Sequence, residues 1–273
     1  MTIEEKKEII KFLNEKCEEA TKNFGDESKE VLFIKTAIEA VEAKKTKFQS
    51  PINEIKEYFS YHLCPDQYVC KIKDIQNDYF KTKKRQLIFD VNTSELIKGN
   101  IPEGNKFLLF VLESAHQKEF NKDHTVIAPA WGNEVGDAGY DIREYVLEIF
   151  GKGYEDYHLI LMNAITFQCS LGCKPEKYFR DGVFRRFWEK HGRSDFQKRF
   201  EQIFEQLRVK STVIVNACTA MNGQKKNIQT IMENIAGFVL ELDHPSYNWH
   251  AKREIQMTKV NNANLYIGKT PEK

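Results

Sequence analysis

The feature that most constrains the fold is a run of six apolar residues at 107–112, which is followed by several polar residues. A short apolar run between polar residues is typical of a strand buried on both faces, as in a parallel sheet. In open α/β sheets, functional side chains lie just past the carboxyl ends of such strands. Glu113, Ser114 and His116 follow the run directly, so the sequence predicts a site there.

Three further runs resemble the first, at 158–164, 212–217 and 238–242, and helical patterns separate them. Strands that alternate with helices indicate a parallel sheet covered on both faces. We therefore predict an α/β protein: a three-layer α/β/α domain with a four-stranded parallel sheet, preceded by a helical N-terminal segment.

The chain divides by pattern into three parts. Residues 1–63 show apolar stripes at helical spacing, residues 64–104 form a mixed connector, and residues 105–268 carry the α/β pattern. The N-terminal helices show no catalytic pattern, so they are interpreted as a cap or as a surface for a protein partner.

Overall charge does not identify a partner, because 41 Lys and Arg residues balance 40 Asp and Glu residues. Local excess does occur: residues 174–210 hold eleven basic against six acidic side chains, including Arg185 and Arg186. A second basic group contains Lys81, Lys83, Lys84 and Arg85. Both are read either as solvated surface or as contacts to phosphate.

No apolar run is long enough to span a membrane, and the N-terminus is charged. We expect a cytoplasmic protein without membrane contact, whose six cysteines are reduced thiols or ligands rather than disulfides.

Three predicted strand ends bring together different chemical groups. Glu113 offers a carboxylate, Asn163 a carboxamide and His244 an imidazole. A carboxylate orients water or stabilises a cation, a carboxamide matches the edge of a base, and an imidazole hydrogen-bonds a developing anion. Trp131, in the long loop after the first strand, is placed to stack on a planar ligand.

These residues resemble the uracil-DNA glycosylase superfamily, most closely its iron–sulfur branch, over residues 105–260. The family's first strand ends in Gly-Glu-Ala-Pro-Gly, and Glu113 matches its glutamate. Gly136, Ala138 and Gly139 match a Gly-x-Ala-Gly in the family's loop. An asparagine ends the second strand, as Asn163 does, and the last motif is His-Pro-Ser, as at His244 to Ser246.

The resemblance implies hydrolysis of the bond between uracil, or another damaged base, and its sugar in single- or double-stranded DNA, after base flipping. Glu113 would position water and favour the cationic sugar, and His244 would hydrogen-bond the departing base. Asn163 would read the base and Trp131 would stack on it. The remaining implied contacts are to substrate, by Ser114, His116 and Ser246, and to DNA, by Tyr247, Trp249, Lys252 and Arg253.

Two alternatives remain open. Ala115 and His116 stand where the family has proline and glycine, which favours a non-catalytic nucleic-acid or nucleobase-binding protein on the same fold. Alternatively, Glu113, His116 and His124 hold a divalent metal in a hydrolase or nuclease. No cofactor is expected, although Cys64, Cys70, Cys169 and Cys173 follow the family's order for an iron–sulfur cluster.

Overall fold

A computed structural model describes residues 1–44, 51–90, 93–104, 106–173, 177–208, 210–220, 223–247 and 249–267. The boundary residues 105 and 268 of the predicted α/β part lie outside that description. Two compact units, each assembled from separate segments, make up the chain. Unit 1 comprises residues 1–64, 114–127 and 165–195, and unit 2 comprises residues 65–113, 128–164 and 196–273.

Unit 1 is helical, as predicted for the N-terminal segment. Its helices are α1 (Ile3–Phe24), α2 (Lys29–Glu42), α3 (Ile52–Tyr58) and α6 (Lys177–Phe187). Thr2 begins α1 with a capping box, in which the Thr2 hydroxyl accepts from the Glu5 N–H and the Glu5 carboxylate accepts from the Thr2 N–H. Aromatic rings fill the core: Phe33 stacks on Phe167 with centroids 4.7 Å apart.

Unit 2 contains a mixed, mostly parallel six-stranded sheet. The strands are β1 (Gln67–Lys71), β2 (Gln86–Leu87), β3 (Lys106–Ser114), β4 (His158–Ile165), β5 (Ser211–Asn216) and β6 (Leu240–Glu241). Their order across the sheet is β2-β1-β4-β3-β5-β6.

The α/β class is confirmed, but the predicted strand number was too small. The four predicted strands are β3 to β6, and β5 pairs in parallel with both β3 and β6. The connector supplies the two missing strands, since β1 pairs antiparallel with both β2 and β4. These short strands extend the sheet beyond β4.

Helices α5 (Ala138–Phe150) and α9 (Trp249–Ile267) pack on one face of the sheet. Leu108 and Phe110 of β3 meet Ile142 and Trp249 there. Helix α8 (Gln224–Ala236) approaches the other face, where Asn216 donates to the Lys225 carbonyl. The remaining helices are α4 (Ile75–Asp78) and α7 (Arg193–Leu207). In the described ranges, no helix has the length and apolar character needed to cross a bilayer.

The strand order determines where a site can form. Along the chain, β4 follows β3 on one side, whereas β5 and β6 follow on the other. The order therefore reverses between β3 and β5, and a crevice opens at such a point beyond the carboxyl ends of the strands. Glu113 lies at the end of β3, on this reversal.

Candidate functional site

Glu113 is buried at the end of β3 and is held by the segment that follows β5. Its carboxylate accepts hydrogen bonds from the backbone N–H of Thr219, at 3.1 Å, and from the Thr219 hydroxyl, at 3.3 Å. The parallel pairing of β3 with β5 brings the two segments together. The carboxylate is therefore fixed in direction at the sheet reversal.

His244 comes to the same carboxylate from the loop after β6. Its Nε2 lies 3.4 Å from Oε2 of Glu113, and only 13% of the imidazole side chain is exposed. The Ser246 backbone N–H donates to Nδ1 at 3.3 Å, and the Ser246 hydroxyl lies 2.7 Å from the same nitrogen. Because Nδ1 accepts this hydrogen bond, a neutral His244 imidazole carries its proton on Nε2, the nitrogen that faces Glu113.

Several contacts fix the loop that carries His244. Gln256 donates to the Asp243 carboxylate at 2.9 Å, and Lys259 forms an ion pair with it at 3.1 Å. The Trp249 indole donates to the Asp243 carbonyl at 2.8 Å. Burial opposes ionisation of Asp243, but the Lys259 ammonium and Gln256 outweigh it and lower the pKa of this carboxyl. The loop is thus anchored to α9 at Asp243, directly before His244.

A buried thiol lies beneath the pair. Cys218 directly precedes Thr219, and its Sγ is 3.6 Å from the Val111 carbonyl. Burial, followed by the nearby Glu113 carboxylate, raises the pKa of the Cys218 thiol well above its ordinary value. A neutral, enclosed thiol acts as a small apolar group in the wall of the site.

The structure does not bring Asn163 to this pair. Side chains alternate between the two faces along a strand. Leu112 and Leu161 both belong to the core beneath α5 and α9. Asn163 falls on that face, two residues after Leu161, whereas Glu113, next to Leu112, falls on the opposite face.

The backbone of Asn163 is instead tied to a buried ion pair. Its N–H donates to Asp66 at 3.0 Å, and its carbonyl accepts from Arg199 at 3.1 Å. Asp66 and Arg199 are themselves joined by a short contact, with 1% and 3% of their side chains exposed. The polar end of β4 is therefore a structural junction.

Trp131 is half-buried in the loop before α5. Its ring lies edge-on to Phe80, with centroids 5.1 Å apart, and beneath the Arg85 guanidinium at 5.2 Å. The loop packs against the first turn of α5 at Gly139, where a Cβ would lie 2.2 Å from the Ala130 carbonyl oxygen. The glycine of the predicted loop motif therefore permits a close backbone approach.

The predicted DNA contacts of unit 2 differ in accessibility. Tyr247 is 60% exposed, and the Lys252 ammonium lies 4.5 Å from its ring centroid. Arg253 forms an ion pair with Glu148. Trp249 corrects the sequence interpretation, because its side chain is fully buried against Phe110 and belongs to the core.

The remaining predicted contacts are Ser114, His116, Arg185 and Arg186 of unit 1 and Ser246 of unit 2. His116 caps a short 3-10 turn by accepting from the Lys118 N–H, which gives it a structural task. Ser114, the last residue of β3, is half-buried. On α6, Arg185 is exposed and Arg186 is half-buried. Ser246 belongs to unit 2 and orients His244, and its predicted contact to substrate stays a prediction.

The four cysteines of the predicted iron–sulfur site are divided between the two units. In unit 1, the Cys64 thiol donates a hydrogen bond to the Glu119 carboxylate at 3.1 Å. Cys169 and Cys173 are also buried in this unit. Cys70 lies in β1 of unit 2, where burial raises its pKa to about 12. Over the described ranges, no three His, Cys, Asp or Glu side chains are grouped to hold a metal ion. The metal site predicted from Glu113, His116 and His124 stays a prediction.

Sequence reasoning missed two residues. Thr219 lies three residues past β5, and the only signal was that it is polar and follows a buried strand. Arg85 was grouped with surface lysines, yet it is only 8% exposed.

A search of protein-family models, curated proteins and solved structures found no match to this chain.

Proposed function

We propose that the chain is a DNA glycosylase-like hydrolase, which cleaves the N-glycosidic bond of uracil or another damaged base. The observation that supports the proposal best is the contact between Glu113 and His244 at the point where the strand order reverses. The proposal includes the three-layer α/β/α fold of the uracil-DNA glycosylase superfamily, with β4-β3-β5-β6 as its four-stranded parallel core.

Glu113 would act on the sugar. Cleavage of an N-glycosidic bond develops positive charge on the sugar ring, which an adjacent carboxylate stabilises. The same carboxylate accepts a hydrogen bond from the attacking water and orients it. Both Thr219 hydrogen bonds hold it in place, so little reorganisation is needed when charge develops.

His244 would act on the departing base. The bond electrons leave with the base, whose ring and carbonyl oxygens become anionic. The Nε2 proton of a neutral imidazole, which faces Glu113 in the structure, would turn to donate a hydrogen bond to such an anion when a base is bound. The Ser246 backbone N–H favours that tautomer, and the loop anchored to α9 fixes the ring.

The test uses purified protein and single-stranded oligonucleotides that each contain one uracil or another deaminated base. Alkali then cleaves the strand at any abasic site. We expect scission with the wild type and a loss of about 10²- to 10³-fold in rate with His244→Ala, as for removal of one donor to a developing anion. Glu113→Gln keeps the shape and the Thr219 hydroxyl contact but removes the charge, and we expect a loss at least as large.

Tyr247→Ala serves as the matched variant, because this side chain is exposed and does not touch the Glu113 or His244 side chain in the described contacts. It should weaken strand binding while leaving single-turnover cleavage of bound DNA unchanged. Absence of scission on every base, with binding retained, would reject hydrolysis and support a binding protein that uses the same crevice.

A further inference from the structure

Arg85 of unit 2 is a buried cation, and none of the described residues supplies it with a counter-charge. The side chain is 8% exposed, and in the described part of the chain no carboxylate forms an ion pair with it. Buried charges in proteins are normally paired, because an unpaired charge in a low-dielectric site costs several kcal/mol. This arrangement therefore requires a physical reason.

The guanidinium is held firmly by its other contacts. Nε donates to the Tyr79 carbonyl at 3.1 Å, and Nη1 donates to the Pro129 carbonyl at 2.8 Å. The Tyr79 and Trp131 rings lie 4.7 and 5.2 Å from its central carbon. Two carbonyls and two aromatic faces thus fix the plane of the group, as in a preorganised anion receptor.

One nitrogen of this receptor is unused. Nη2 is enclosed and has no hydrogen-bond partner among the described residues. Tyr79 is fully buried, whereas Trp131 is half-buried. The less buried Trp131 ring is therefore the one that a ligand would displace to reach Nη2.

We propose that Arg85 and Trp131 form a binding site for a phosphate group, with Nη2 of Arg85 as the donor and the Trp131 indole as the cover. A guanidinium suits phosphate because its planar donors match the phosphate oxygens. The phosphate comes either from a nucleic-acid strand or from a small phosphorylated molecule. The site does not depend on the proposed hydrolysis, because neither Glu113 nor His244 contributes to it.

Trp131 itself provides the readout. The chain has three tryptophans, and the other two, Trp188 and Trp249, are 3% and 0% exposed. Titration with inorganic phosphate, thymidine monophosphate or a short oligothymidylate should change the tryptophan fluorescence, and Trp131→Phe should abolish that change. Response to the strand alone assigns the site to nucleic acid, and response to the small phosphates alone assigns it to a phosphorylated metabolite.

Arg143 offers a matched control in the same unit. Its guanidinium lies 5.0 Å from the Phe80 ring and 5.4 Å from the Tyr140 ring, but it is paired with Glu144 at 2.6 Å. We expect Arg85→Met to lose about 10- to 100-fold in phosphate affinity, as for a charge-assisted hydrogen bond, and Arg143→Met to stay within about twofold. Arg85→Lys keeps the charge without Nη2 and should lose roughly 10-fold, which covers the case in which Arg85→Met does not fold.

Three results would overturn the proposal. The first is no fluorescence response of the wild type to any of the three phosphates. The second is equal losses in Arg85→Lys and Arg143→Met. Where the strand does respond, the third is equal binding of an uncharged methylphosphonate strand and a phosphodiester strand. Glu113→Gln should keep the full response, so failure of the hydrolysis proposal leaves this measurement interpretable.

Discussion

In both β3 and β4, an apolar run gives way to polar residues near the carboxyl end of the strand, but these polar residues have different roles in the structure. After β3, Glu113 faces Thr219 and His244, and its contacts come from segments after other strands. After Leu161 in β4, Asn163 lies on the opposite face, and its backbone joins the buried pair of Asp66 and Arg199. A polar residue at the end of an apolar run therefore indicates the edge of a sheet. Its even or odd position along the strand determines the face of the sheet on which its side chain lies.

The largest expected effect lies at the β4 end. Replacement of Arg199 by methionine leaves the buried Asp66 carboxylate without its partner, which costs about 3–5 kcal/mol in the free energy of unfolding. Urea denaturation measures it. The control is Arg208→Met, because Arg208 pairs with Glu205 at an exposed position and should leave stability unchanged. Equal stability of Arg199→Met and the wild type would show that the junction does not support the sheet.

Asn163 itself should affect stability rather than base choice. Asn163→Ala keeps both backbone hydrogen bonds but leaves a cavity in place of a fully buried side chain, and we expect a loss of about 1–3 kcal/mol in the free energy of unfolding. The ratio of cleavage rates on uracil and on other bases should stay the same, because the side chain lies across the sheet from Glu113. A changed ratio at unchanged stability would instead make Asn163 the base-reading residue.

At the β3 end, Thr219 should act through Glu113. Thr219→Val removes the hydroxyl contact but keeps the backbone N–H, so the carboxylate loses one of two orienting hydrogen bonds. We expect a roughly 2- to 10-fold lower single-turnover cleavage rate, as for one hydrogen bond of about 0.5–1.5 kcal/mol. Thr219→Ser should recover most of the rate. A full loss of activity in both variants would indicate collapse of the loop instead.

The contrast between the two ends also shows what sequence can and cannot predict. Strands β3 to β6 were found because each is a separate apolar run, whereas β1 has polar ends and a bulge between Tyr68 and Cys70. Pairing with β4, far along the chain, determines that β1 is a strand at all. Glu113 and His244 were predicted from their strand ends, and Trp131 from its loop.

Contacts set by distant segments were not predictable in the same way. Thr219 reaches Glu113 only because β5 pairs beside β3. Arg85 stands in a run with Lys83 and Lys84, and only the positions of Tyr79 and Trp131 make it a buried side chain. Composition and spacing do not carry that information, because it depends on which segments become neighbours in the fold.

The smallest expected effect concerns pH and the loop that carries His244. The pKa of Asp243 is lowered in the folded state, so its ion pair adds stability above the carboxyl's ordinary pKa, and that stability is lost as pH falls through the lowered folded value. The effect is modest, because the Asp243 side chain is 33% exposed and water screens the pair. Between pH 7 and pH 3, the melting temperature of the wild type should therefore fall slightly more than that of Asp243→Asn. Lys259→Met should reproduce the flatter profile of Asp243→Asn. Parallel profiles for all three proteins would mean that this ion pair does not anchor the loop, and the orientation of His244 would then depend on its other contacts, including those through Ser246, Gln256 and the Trp249 indole.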